Sequence, residues 1–303
     1  MSHALAVLHG AFGRAALYRL DRPFALHAHR EGHLIFLVEG TPARVSVSGH
    51  SLLADRHRGA AINPWEPHDF QVPSFQVPGS GLPRSALPGS VHPGAQPAEV
   101  AGLYLVLYLK PLWFLDTART PARSSTCALN FGRPEIETTP RLRARVLRLA
   151  GLLLGSEAPT GFDDQLFDLT RACYEQSWRG APASAALTAK PHVRDFRVRK
   201  AISILEGDLG AGSDMGGVAR QAGLSRPHFF KLFKKHTGLT PNLYLNTLRS
   251  EAAIDDLRST AKSVTAIAEE LGFASQASFT RFFTCNVGIP PSDYRRVAAT
   301  APS

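Results

Sequence analysis

The feature that most constrains this chain is a duplication within its last hundred residues. Val218-Ala219, Ala222-Gly223-Leu224-Ser225, Phe229, Phe233, Gly238 and Pro241 return as Ile267-Ala268, Leu271-Gly272-Phe273-Ala274-Ser275, Phe279, Phe283, Gly288 and Pro291. The offset is 49 residues up to the glycine and 50 from the first phenylalanine onward, so one residue has been added in the turn. Each copy predicts a short helix, a turn and a second helix. The alanine permits close helix crossing, and Gly223 or Gly272 can take the left-handed backbone that ends a helix. Ser225 or Ser275 can cap the next helix, and phenylalanines four apart anchor its inner face. Two helical hairpins packed as plain core would give the same pattern, but two copies are too few for a solenoid.

The outward positions of the second helix in each copy argue for a partner. With Phe229, Leu232 and Phe233 turned inward, the first helix exposes Arg226, Pro227, Phe230, Lys231, Lys234 and Lys235. With Phe279, Phe282 and Phe283 inward, the second exposes Gln276, Ala277, Thr280 and Arg281. Arg and Gln can pair with base edges in the major groove, and Thr or Ala can meet a thymine methyl. Lys234 and Lys235 suit phosphate contacts. The whole chain of 303 residues carries 34 Lys+Arg against 25 Asp+Glu, a balance that admits a polyanionic partner without proving one. A helix from Asn242 to about Arg258 would join the copies and span roughly 25 Å, close to the ~34 Å between successive major-groove faces of one duplex.

Residues 194–297 therefore resemble the double helix-turn-helix domain of AraC/XylS-type transcriptional regulators. The resemblance is carried by Ala219 to Ser225, Phe229 to Gly238, Ile267 to Phe273, Phe279 to Phe283, and Gly288-Ile289-Pro290-Pro291 with Tyr294-Arg295. It implies double-stranded DNA as the partner, with base reading by Pro227, Phe230 and Lys231 in one unit and by Gln276, Ala277, Thr280 and Arg281 in the other. Pro227 and Phe230 depart from the polar residues usual there, so the first unit reads methyl groups or mainly positions the protein. Ser225, Arg226, Lys234, Lys235 and Ser275 complete the candidate DNA-binding set.

The rest of the chain divides by composition. Residues 1–135 read as short β segments, including Leu34 to Val38, Ala43 to Ser48 and Leu103 to Leu109. Within them residues 73–98 carry Pro73, Pro78, Pro83, Pro88 and Pro93 at a five-residue step, a density that forbids a central strand. This predicts a mobile surface insertion. Residues 136–179 switch to helical periodicity, with Leu142, Val146, Leu149 and Leu153 on one helix and Leu166, Leu169 and Cys173 on the next, which Asp163 can cap. The pair is a candidate dimerisation element or packs on its own domain. Residues 180–193 read as a linker.

His27-Ala28-His29, His33, Gly40 and Pro64-Trp65-Glu66-Pro67-His68 resemble the two motifs of a cupin barrel, with His33 at the position of the family's glutamate. His27, His29 and His33 share parity, so on one extended strand they would point the same way, and with His68 they could converge. Neutral imidazoles suit zinc, copper or iron. The resemblance to AraC-type sensors, which mostly work without metal, implies instead an effector pocket of His27, His29, His33, Phe36, Asn63, Trp65 and His68, with no metal and no cofactor. No nucleophile–base pair stands beside these residues, so no catalytic residue is assigned.

The expected fold is multidomain α+β: a cupin-like β-barrel with two following helices, then an all-α domain of two helix-turn-helix units joined by a long helix. The expected function is an effector-controlled, sequence-specific regulator and not an enzyme, acting as a homodimer, with RNA polymerase as a further candidate partner. The rivals are a metal-dependent cupin enzyme with a DNA-binding tail and an architectural DNA binder with a vestigial barrel. Cys127, Cys173 and Cys285 lie far apart, which fits a reducing compartment. The longest apolar run is far short of a membrane span, and Ala4 to Leu8 lacks a preceding Lys or Arg. A cytoplasmic protein is expected. Effector, operator and the choice between activation and repression stay open.

Overall fold

The structure, a computed structural model, describes residues 2–72, 101–118, 129–155, 160–181, 193–210 and 214–298. The proline-rich stretch 73–98, most of the expected linker 180–193, and Cys127 lie outside the described residues.

The front part contains β1 (His3–Gly10), β2 (Gly13–Leu20), β3 (Phe24–His27), β4 (Gly32–Gly40), β5 (Ala43–Val47), β6 (His50–Ala54), β7 (Arg58–Ile62), β8 (His68–Gln71), β9 (Gly102–Leu109), α1 (Pro111–Ala118) and β10 (Glu135–Glu137). They form two antiparallel sheets, one of six strands in the order β1-β2-β9-β4-β7-β10 and one of four in the order β3-β8-β5-β6.

Neither sheet closes, so the expected cupin-like barrel is corrected to an open pair of sheets. Closure needs one hydrogen-bonded ladder to run all the way round. Here the chain leaves one sheet between Leu20 and Phe24 and joins the other, ending the ladder at each crossing. The helix α1 inside the region read as all-β is a second departure.

Why β9 reads as an unbroken apolar run is now explained. Alternate residues of a strand face opposite ways, and both faces of β9 are covered. Tyr104, Val106 and Tyr108 enter the core between the sheets, while Leu103, Leu105, Leu107 and Leu109 enter a second core. That second core is closed by α2 (Pro140–Leu154) and α3 (Phe162–Trp178), whose Leu142, Val146, Leu149, Leu166, Leu169 and Cys173 lie on the six-stranded sheet. The α2 N-terminus is capped by Thr139, which accepts from the Leu142 amide. At α3 the cap position is Gly161, in the left-handed region at φ 76°, rather than Asp163, which falls in the first turn.

The back part is all helical: α4 (Phe196–Gly207), α5 (Met215–Gln221), α6 (Arg226–Thr237), α7 (Pro241–Ser259), α8 (Val264–Glu270), α9 (Gln276–Val287) and α10 (Pro291–Ala298). Its first half has its own core around Val198, Leu205, Phe229, Phe233 and Leu248, which also takes in Ala28. Its second half does not stand apart. Ile267, Phe279, Phe283 and Tyr294 continue directly into the core between the two sheets. No described helix is long and apolar enough to cross a membrane.

Candidate nucleic-acid interface and sensor cavity

The two helix-turn-helix units are built from the same local bonds. In the first, Gly223 at φ 73° donates to the Arg220 carbonyl at 2.9 Å and Leu224 donates to Ala219 at 2.9 Å. In the second, Gly272 at φ 76° donates to Glu269 at 3.0 Å and Phe273 donates to Ala268 at 2.9 Å. These bonds close the orphan carbonyls at each first-helix end, and they fix the angle at which α6 and α9 leave the turn. Both helices have 12 residues and end on a left-handed glycine, Gly238 or Gly288.

Their inner faces are locked by pairs of fully buried phenylalanines. Phe229 and Phe233 stand 5.5 Å apart between ring centroids, Phe279 and Phe283 5.8 Å apart. The outer positions are thereby turned to solvent. Ser225, Arg226, Pro227, Lys231, Lys234 and Lys235 are exposed on α6, with Phe230 half-buried beneath Arg226. On α9, Ser275, Gln276, Ala277 and Arg281 are exposed and Thr280 is half-buried.

The two caps differ. Ser275 accepts from the Ser278 amide at 3.2 Å and takes part in a capping box, whereas Ser225 holds the cap position with no side-chain capping bond. Gln276 is also held, because its Oε1 accepts from Thr265 of α8 at 2.8 Å. The connecting helix α7 has 19 residues, or about 28 Å.

The face of α9 does not look onto open solvent alone. Gln276, Ala277, Thr280 and Arg281 form one wall of a groove of about 650 Å³, and Arg22 with Pro23 from the turn between the sheets forms part of the other. Sequence periodicity offered no sign of this, since the two walls lie some 250 residues apart in the chain.

Between the sheets the histidines converge, although not as strand parity predicts. His27 ends β3 and His33 is the second residue of β4, with residues 28–31 between the strands, so the two belong to different sheets and line one cavity. His27, His29, His33 and His68 are all buried. Ring centroids lie 4.3 Å apart for His27 and His68, 4.9 Å for His27 and His29, and 5.2 Å for His33 and His68. Tyr108 stacks on His33 at 4.4 Å. Burial holds His29, His33 and His68 well below the ordinary histidine pKa, and pushes His27 down to about 4.

The other three residues expected in the pocket go elsewhere. Phe36 faces the opposite side of its sheet and packs in the core under α2 and α3. Asn63 is tied to the Phe131 backbone through its amide and carbonyl groups. Trp65 lies flat on Tyr244 of α7, with centroids 4.6 Å apart and planes 3° from parallel. Its φ of 62° is a strained value for a bulky residue. The stacking and a 2.6 Å bond from its amide to the His29 carbonyl hold it there.

Two further contacts escaped the sequence. Arg14, buried over the Tyr108 ring at 3.6 Å, donates to the Tyr294 hydroxyl of α10 at 3.2 Å, and His9 bonds the same hydroxyl at 2.9 Å. Gly288, at φ 92°, sits so close to Phe24 that a Cβ there would run into the ring. Both contacts join front and back parts, and pairings this remote leave no periodic trace.

The comparisons with known proteins fall mainly on the back part. The family model for a helix-turn-helix domain matches residues 218–297. The chain is 36% identical over 93 residues to the HTH-type transcriptional regulator Rv1931c of Mycobacterium tuberculosis, a match covering 31% of this chain and 36% of that protein. It is 39% identical over 92 residues to the transposon Tn10 TetD protein of Escherichia coli, covering 30% of this chain and 67% of the relative. The chain thus spans about a third of the first of these relatives. The fold of ToxT from Vibrio cholerae O395 matches 98% of this chain and 97% of its own at a TM-score of 0.54 and 12% identity, a likeness of fold that runs through sheets and helices together.

Proposed function

Since this chain belongs to the helix-turn-helix transcriptional regulators of the AraC/XylS type, we propose that it reads a specific DNA sequence with α6 and α9 and answers to a ligand held between its sheets. It is a regulator and not an enzyme.

The observation that carries DNA reading is the repeated unit itself: two helices, each pinned by buried phenylalanines, each presenting an outward face one to six residues beyond its cap serine. Arg226, Lys231, Gln276 and Arg281 supply donors for base edges, while Pro227, Phe230, Ala277 and Thr280 supply surface for methyl groups. Lys234, Lys235 and the hydroxyls of Ser225 and Ser275 take phosphates. For α9 to enter a major groove, Arg22 and Pro23 must move aside. A ligand that favours one arrangement of the two parts then controls binding. The cavity beside the histidines suits that role, because Asn286 and Val287 at the end of α9 line it together with His27, His33 and His68.

We extend the proposal to a homodimer through α2. Its inner leucines lie on the sheet, yet Leu147 and Leu154, seven residues apart, remain 44% and 56% exposed.

Recovery of bound fragments from the source genome, followed by sequencing, tests the reading directly; recovery without a shared sequence refutes it. Arg281→Ala is expected to lose about 1–3 kcal/mol of discrimination at one base pair, measured by competition between single-base operator variants. An equal loss on every sequence would refute base reading. Lys234→Ala is expected to weaken all sites alike and to lower the slope of log K against log salt by about 0.9. An unchanged slope would refute phosphate contact.

A further inference from the structure

The four histidines between the sheets do more than fill space. Backbone carbonyls set the tautomers of two of them. His27 Nδ1 lies 2.7 Å from the Ala25 carbonyl and His68 Nδ1 2.9 Å from the Glu66 carbonyl. A carbonyl only accepts, so each Nδ1 carries the proton and each Nε2 presents a lone pair. His68 Nε2 then accepts from His33 Nδ1 at 3.2 Å, which leaves His33 Nε2 as a further lone pair. The Nε2 atoms of His29 and His33 are buried without a hydrogen-bond partner. Packing alone does not account for such a group, since buried polar atoms are nearly always paired.

One ligand nitrogen each from His27, His29 and His68 lies within 4.8 Å of the others. Nitrogens bound at about 2.0–2.1 Å to a tetrahedral ion stand about 3.3 Å apart, so small side-chain rotations close the site. The anchoring of imidazole N–H groups by backbone carbonyls is the outer arrangement that ligating histidines use.

Size selects the occupant. The adjoining cavity holds about 20 Å³, room for a single water-sized particle and far below the ~300–1,000 Å³ of sites for organic ligands.

We propose that His27, His29 and His68, with His33 as the fourth ligand, bind one first-row transition-metal ion of the zinc and copper class. Imidazole nitrogens suit such ions, whereas magnesium and calcium require oxygen. Binding at His68 Nε2 displaces the bond from His33, which turns toward the ion. Arg14 over Tyr108 is the adjacent positive charge, and it opposes a cation here.

The same strap carries the consequence. Ala28, between two of the ligands, accepts at its carbonyl from Thr247 of α7 at 3.2 Å. Arg30, next to His29, pairs with Glu251 at 3.0 Å and Glu206 at 3.3 Å. An ion that draws His27 and His29 together therefore pulls on the helix joining the two readers. This deepens the ligand-responsive reading above, and only the regulatory consequence rests on that reading.

The test uses the full-length protein, stripped with a chelator, returned to buffer and titrated with Co(II) and with Zn(II). One equivalent per chain is expected, with the visible d–d bands of four-coordinate cobalt, and with Zn(II) displacing Co(II). His29→Gln and His68→Gln are each expected to weaken Co(II) at least about 10-fold, while His57→Gln, at an exposed position, changes nothing. The bands are read on the unaltered chain, so the result stands even if a variant fails to fold. Absence of stoichiometric binding, octahedral-type weak bands, or binding lost equally in His57→Gln would overturn the site. Operator binding is measured separately with and without Zn(II). Specific DNA binding with no metal uptake overturns the site and leaves the regulator; metal uptake with no specific DNA binding does the reverse.

Discussion

Lowering the pH from 7.5 to 5 in the presence of a chelator is expected to reduce the unfolding free energy by at least about 4 kcal/mol. The cause is the burial of neutral histidines. Burial and the nearby Arg14 guanidinium push His9 down to about 3, and burial pushes His27 down to about 4. Once unfolded, both return to about 6.5. Between the folded and unfolded values, only the unfolded chain binds these protons, so acid favours unfolding. Stability is complete above pH 6.5 and falls as pH drops toward 4, where His27 begins to protonate in the fold. At pH 5 each residue accounts for about 2 kcal/mol, and His29, His33 and His68, lowered in the same direction, add to the loss. Urea midpoints followed by circular dichroism at pH 7.5, 6 and 5 measure this. His9→Gln should remove about half of the two-residue effect. A midpoint independent of pH would refute the buried neutral state.

Phe283→Ala is expected to cost about 3–5 kcal/mol, the range for truncating a buried aromatic ring. Phe283 is fully buried and its ring lies 5.8 Å from Tyr294. It belongs to the core shared with the sheets, whereas Phe233 belongs to the core around α4–α7. Phe233→Ala should cost a similar amount but leave hydrogen exchange in β1 and β2 unchanged. Phe283→Ala should accelerate exchange there through the contact of Tyr294 with His9 and Arg14. Equal exchange in both variants would show that the two parts unfold independently.

The back part was legible because its signals are local. A glycine that must turn left-handed, a cap residue two or three positions later and phenylalanines four apart all act within a dozen residues, and their recurrence made them specific. Even so, the cap at Ser225 is missing while the matching one at Ser275 is made; hydroxyl geometry cannot be read from residue type. The front part was legible in composition but not in closure. Whether strands close a ladder depends on pairings between remote segments, and the alternation within each strand is the same in either case. The convergence of His27, His29, His33 and His68 was foreseen from parity on a single strand, yet it arises from two sheets facing each other. Strand parity, applied to Phe36, sets it on the opposite face of β4 from His33, where it packs beneath α2 and α3, and no local pattern pointed to Arg14 meeting Tyr294, 280 residues away.

Three tryptophans occur in the chain, and Trp65 lies on Tyr244 of the back part. Trp113 packs beside Phe12 and Phe167, and Trp178 beside Tyr174. Replacing those two with phenylalanine would leave one indole whose emission reports, without any attached dye, each time α7 peels away from the turn that carries Trp65.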